Sequence, residues 1–150
     1  MNKRQVILEL ISALLILLFL YASLSKFLDF KQYIGDMHNQ PLPNTVASIL
    51  IWGIPPLEVL ISLLLVFEVT RLAGFYTSLV LMSLFTVYTV FILLHFFKYV
   101  PCSCGGIIRK LSWGEHLGFN LFFVALSLTG IILQRNKFSK TTFITKNSLV

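Results

Sequence analysis

Both cysteines of this 150-residue chain stand one residue apart, in Pro101-Cys-Ser-Cys-Gly-Gly106. Facing an oxidising compartment, two thiols at that spacing can join in a disulfide. Closing so short a ring gains almost nothing from loop entropy, because that gain grows with the number of residues enclosed. The tight ring also pulls the bridge away from its preferred torsion of about 90°. A strained, exposed disulfide has a higher reduction potential, and it exchanges with other thiols more readily than it staples a fold. Gly105 and Gly106 free the backbone and let a partner thiol approach, and Arg109 and Lys110 would favour a thiolate. The pattern predicts thiol–disulfide exchange at Cys102 and Cys104. The competing reading is a pair of loop cysteines without chemistry, free or permanently bridged.

A second group of residues is expected at the same membrane depth. His116 follows Ser112-Trp-Gly-Glu115, which fits a capping box in which Ser112 and Glu115 close the start of a helix. A histidine beside a thiol takes up or donates a proton during exchange, and His116 is assigned that catalytic role. Its competing reading, shared with His95, is an interfacial histidine solvated by head groups. Asn120, one turn on, either orients His116 or bonds between helices. Lys26 and His95 complete a set expected to converge on the cysteine loop. Glu58 falls near the middle of an apolar run, where an ionisable group is expensive and marks function or a specific partner. A quinone needs protons with its electrons, so Glu58, Lys26 and His95 are the residues expected to bind one, with Glu58 as proton carrier. A structural polar clamp is the other reading of Glu58. Two thiolates with His116 or His95 would suit a soft ion such as Cu(I) or Zn(II). The C-x-C spacing lacks the fuller ligand set of a zinc site, however, and no metal is assigned.

The elements that must position these residues follow from composition. Charged residues make up 12% of the chain and hydrophobic ones 57%, which leaves too little polar surface for a water-soluble globule. Disorder is excluded by the same numbers. The formal charge of +6 would suit nucleic acid only if the cations clustered on one polar face, and they sit instead between long apolar runs. Spanning the bilayer takes roughly 20 apolar residues per helix. Four segments meet that need: about 6–27, 45–67, 72–97 and 112–133. The chain is read as an all-α integral membrane protein, a four-transmembrane-helix bundle (residues 1–133) with a basic cytoplasmic tail (residues 134–150). The first span is too long for a cleavable signal core and is read as retained. Pro55 and Pro56 remove backbone donors inside the second span and predict a kink. Four spans put both termini on one side, with Lys3, Arg4, Arg71, Arg135, Lys137, Lys140 and Lys146. Lys26, Lys31, Lys98, Arg109 and Lys110 are left on the other. The positive-inside rule makes the first side cytoplasmic. The tail is expected to fray near anionic head groups. The stretch from Leu28 to Asn44 is expected to be an outer loop capping the bundle, with Asp29, Lys31, Asp36 and His38 solvated.

Taken together, four spans with Lys26 closing the first, Pro55-x-x-Glu58 in the second, Arg71 opening the third and C-x-C-G-G before the fourth resemble the MauE/DoxX superfamily. The likeness is closest to its MauE-like redox-associated branch and covers nearly the whole chain. It implies a bacterial cytoplasmic-membrane protein. MauE is linked to disulfide formation in an exported dehydrogenase subunit, and DoxX relatives to quinone-coupled sulfur oxidation. Carried over, the resemblance implies Cys102 and Cys104 as the redox pair, with Pro55, Glu58 and Arg71 as pattern positions. The expected partners are the lipid bilayer and a periplasmic or membrane protein, with no role for nucleic acid. The alternative is a non-catalytic small subunit of a larger membrane complex. No phosphate-binding loop, dinucleotide fingerprint, zinc-protease motif or nucleophile elbow appears.

Overall fold

The computed structural model describes residues 3–96 and 111–147, with side chains described as far as Asn136. Five helices follow one another: α1 (Lys3–Leu28), α2 (Phe30–His38), α3 (Asn44–Val66), α4 (Arg71–Leu93) and α5 (Trp113–Asn147). No strand occurs among the described residues. α1, α3, α4 and the Trp113–Asn136 part of α5 are long and apolar enough to cross a membrane. They match the four spans expected from the sequence to within a few residues. Large apolar side chains such as Leu17, Ile49, Val80 and Ile132 are exposed, as they should be where the surroundings are lipid.

The four spans pack as two antiparallel pairs, α1 with α3 and α4 with α5, joined through α3–α4 and α1–α5 contacts. Small residues allow the closest approaches. A Cβ on Gly130 of α5 would lie 2.5 Å from the ring of Phe75 on α4, and one on Gly74 of α4 would lie 2.9 Å from Leu65 of α3. Leu15, Phe19, Ile61, Leu65 and Phe75 form the centre of the apolar core. Ser62, Ser78 and Ser127 are buried on three neighbouring helices, and each hydroxyl donates to the carbonyl four residues back in its own helix. A hydroxyl used in that way asks nothing of the apolar surroundings, so the serines cost little and keep the helices close.

α3 runs without interruption through Pro55 and Pro56. The two prolines cannot donate to the carbonyls of Ile51 and Trp52. Flanking carbonyls carry extra donors from neighbouring helices: Tyr33 Oη donates to Leu50 O at 3.3 Å and Ser23 Oγ to Pro55 O at 3.1 Å. These bonds tie α2 and α1 to the weakened stretch of α3.

Three features differ from the sequence-based expectation. The stretch between the first two spans contains α2, whose Tyr33 and Met37 are buried against Ala47 and Ile51 of α3, with Phe30 and Ile34 packed alongside. Phe30, Tyr33, Ile34 and Met37 are spaced i, i+3, i+4 and i+7, one apolar face of a helix. α4 ends at Leu93, short of the expected Phe97. α5 continues to Asn147 where fraying was expected, so the backbone of the basic segment is helical.

Candidate functional site

Lys26 and Glu58 form the most buried ionic contact described. Lys26 lies near the end of α1 and Glu58 well inside α3, and antiparallel packing brings Nζ to 2.8 Å from Oε1. The side chains are 5% and 1% exposed. Lys26 reaches this depth because its side chain folds back along α1, donating also to the carbonyl of Ala22 at 3.3 Å. The ring of Tyr33, carried by α2, has its centroid 6.0 Å from the ammonium. Burying two opposite ions costs several kcal/mol each before their attraction repays it, so a pair like this needs close geometry and extra hydrogen bonds. It has both on the lysine side. On the carboxylate side, Glu58 Oε2 is buried and receives no hydrogen bond.

His116 is buried at the start of α5, 2% exposed. The capping box read from the sequence is present: Ser112 N and Oγ donate to Glu115 Oε2 at 2.7 and 2.8 Å, and Glu115 N points back at Ser112 Oγ at 3.4 Å. The same Ser112 sets the state of His116. Its carbonyl lies 3.0 Å from Nδ1. A carbonyl can only accept, so Nδ1 carries the hydrogen there and Nε2 is the basic nitrogen of the neutral ring. Trp113 lies against the imidazole, with centroids 5.4 Å apart. One turn further, Asn120 Nδ2 donates to Thr89 Oγ1 of α4 at 3.3 Å, bonding between helices.

His95 is outside the helix that was expected to carry it. It is exposed, with φ of 57°. His95 N donates to Ile92 O at 3.0 Å, and Phe96 N to Phe91 O at 3.3 Å. The rings of Phe91 and Phe96 meet edge-on, 5.4 Å apart. This is a Schellman ending with its hydrophobic contact, and His95 occupies the left-handed position that glycine usually takes. The helix end accounts for His95. Lys26 faces Glu58 between α1 and α3, and His116 is held at the start of α5. Cys102 and Cys104 lie outside the described residues, as do Arg109 and Lys110.

Sequence reasoning missed the contacts at the other end of the bundle. Arg71, which opens α4, is buried; its Nη1 donates to Glu9 Oε1 of α1 at 2.6 Å and its Nε to Leu65 O at 3.2 Å. Arg4 Nη2 donates to Leu133 O at 3.0 Å, linking α1 to α5. Glu9 is an acid in an otherwise apolar stretch, and that was the available signal. No group of three or more metal-binding side chains occurs among the described residues. An open cleft of about 350 Å³ at the elbow of α1 and α2 is lined by Leu28, Asp29, Phe30, Lys31 and Gln32. None of the candidate site residues lines it.

A family model described as methylamine utilisation protein MauE matches residues 4–133. The chain belongs to the MauE family. It is a multi-pass membrane protein of that family, and the matched region takes in all but the outermost residues of the four spans. No curated protein and no solved structure matches it.

Proposed function

We propose that this MauE-family protein is a membrane thiol–disulfide redox protein of the bacterial cytoplasmic membrane. Its C-x-C pair faces the oxidising side, and both termini are cytoplasmic. Cys102 and Cys104 exchange with the thiols of a periplasmic or membrane protein partner. In the oxidising direction, two partner thiols lose two electrons and two protons, the partner gains a disulfide, and the Cys102–Cys104 bridge becomes a dithiol. Passing the same two electrons and two protons to a quinone yields the quinol and restores the bridge. The likeness to DoxX relatives supports quinone as the lipid-soluble carrier. The chain has two cysteines in all. The bridge therefore meets the quinone directly, or the partner supplies a second pair.

The observation that carries this reading is the placement of a buried histidine at the head of α5, the helix that follows the cysteine segment in the chain. His116 is fixed by Ser112 O so that Nε2 is its basic nitrogen. A neutral imidazole held in one tautomer is suited to accept a thiol proton. The Lys26–Glu58 pair supplies a proton-bearing group inside the membrane.

Intact cells treated with a membrane-impermeant maleimide, with and without prior reduction, test this. The expected outcome is labelling of Cys102 and Cys104 only after reduction. Thiols that label equally without reductant, or only after the cells are opened, would remove the redox reading and leave a subunit of a larger complex.

A further inference from the structure

Two histidines make the same contact with the backbone. His116 Nδ1 lies 3.0 Å from the carbonyl oxygen of Ser112, and His38 Nδ1 lies 2.9 Å from that of Ile34, each four residues back. The settings differ. His38 is exposed, and its acceptor belongs to α2 itself. His116 is 2% exposed, and its acceptor stands just outside α5, so no turn of that helix holds the carbonyl in line. What holds Ser112 is Glu115. Its Oε2 accepts from Ser112 N at 2.7 Å and from Ser112 Oγ at 2.8 Å. Ser112 O accepts in turn from His116 N at 2.9 Å as well as from Nδ1. Ser112 is pinned at its nitrogen and hydroxyl by one residue and at its oxygen by the next. An imidazole in water prefers to carry its hydrogen on Nε2, so the contact holds His116 in the less common neutral form.

We propose that Glu115, acting through Ser112, is the positioning residue that keeps the hydrogen of His116 on Nδ1 and its basic nitrogen at Nε2. The helix cap and the base are then one device. With the cap closed, moving the hydrogen to Nε2 would set the bare Nδ1 against the Ser112 oxygen, two acceptors face to face in a buried place. With the cap open, that carbonyl can rotate away. The ring then returns to the form that water prefers, in which Nε2 already carries a hydrogen and cannot take another. The inference rests on the proposed function only for the acid that His116 meets. A thiol of Cys102 or Cys104 gives its proton to Nε2 and keeps the electron pair as a thiolate. The ring becomes an imidazolium whose Nδ1–H stays on Ser112 O, and Glu115 takes no part in the transfer.

The test is nitrogen NMR of the full chain with 15N-labelled histidine in lipid nanodiscs, at a pH where all three rings are neutral. A ring nitrogen that bears hydrogen is told from a bare one by its shift and its one-bond coupling, and His116 is assigned by its loss in His116→Gln. His116 should favour Nδ1–H by at least about fivefold, as one net hydrogen bond allows, while His38 stays near the ratio of water. Glu115→Ala should bring His116 to the His38 ratio. Glu115→Gln can still close a capping box and should keep the parent ratio. A residue that merely stabilised the helix end would lower the unfolding temperature in Glu115→Ala without moving the ratio, and that result would overturn the proposal. Should Glu115→Ala fail to fold, equal ratios at His116 and His38 in the parent protein overturn it as well, because the ring would then owe nothing to the cap. Alkylation rates of the reduced cysteines separate the inference from the function beneath it. Glu115→Ala and His116→Gln should slow the reaction alike, and the double variant no further. Additive losses would show Glu115 acting by another route and overturn the proposal. Rates indifferent to His116→Gln would remove the histidine from the thiol chemistry and leave the clamp on its tautomer standing.

Discussion

At the scale of single residues, the two ends of one interaction are worth very different amounts depending on which is removed. Lys26→Met strands the Glu58 carboxylate inside the bundle, and it should cost about 3–5 kcal/mol of stability, the usual penalty for breaking a buried pair. Lys26→Met with Glu58→Met removes both charges and should recover most of that loss. Thermal unfolding in detergent, followed by helical signal, measures both, and a double variant as unstable as the single one would contradict the argument. His95 offers a cleaner case, because its φ of 57° is a cost that glycine does not bear. His95→Gly should raise stability by about 1 kcal/mol in the same assay. The legibility of these residues tracks their sequence separation. The Ser112–Glu115 box could be read directly because it closes over three residues. The Lys26–Glu58 pair spans 32 residues, and its existence depends on how α1 slides against α3. Sequence reasoning placed an ionisable group in the membrane at Glu58 but could not choose its partner.

Among the elements, what matters is how closely backbones approach. The Phe75 ring, fully buried on α4, fills the space that a side chain at Gly130 of α5 would need. Gly130→Ala places a carbon 2.5 Å from that ring, and the overpacking should cost about 1–3 kcal/mol. Phe75→Leu in the same chain should return part of the loss, and a double-mutant cycle on thermal unfolding isolates that coupling. Additive effects would show that the two residues do not share the contact. The spans themselves were legible because hydropathy over about 20 residues reports the solvent, and lipid leaves no other choice of structure. α2 escaped notice because nine residues are too few for a periodic signal to stand clear of a loop, even with Phe30, Tyr33, Ile34 and Met37 on one face. Its place is secured by tertiary contacts: Tyr33 Oη bonds to the α3 backbone, Gln40 just beyond α2 accepts from Tyr88 of α4, and Phe30 lies 5.3 Å from Trp52. A packed, bonded cap of this kind would survive as a helix only where α3 is there to receive it.

Across the whole molecule, both termini of the bundle lie at one end by topology, and the choice of side depends on charge. By the order of the spans in the sequence, seven cations, Lys3, Arg4, Arg71, Arg135, Lys137, Lys140 and Lys146, are expected at that end, against five at the other. Two of the seven are already engaged within the bundle, Arg71 with Glu9 and Arg4 with the Leu133 carbonyl. The bias therefore owes much to the segment beyond Leu133, whose backbone continues as helix to Asn147. A helical continuation, at about 1.5 Å per residue, keeps Arg135, Lys137 and Lys140 nearer the end of the span than an extended chain would, where charge has the most influence on orientation. In a Cys102→Ser, Cys104→Ser background, a single cysteine at His38, exposed on α2, should react with an impermeant maleimide in intact cells. A single cysteine at Ser139 should react only once the cells are opened. The opposite pattern would turn the protein over in the membrane and put the C-x-C segment in a reducing compartment, where glutathione and thioredoxin systems keep thiols reduced. Replacing Arg135, Lys137 and Lys140 with glutamine should then produce a mixed population in the same labelling assay, because it removes three of the cations on which the orientation depends. Should that triple variant keep a single orientation, helix length and the order of insertion would decide the topology in place of charge.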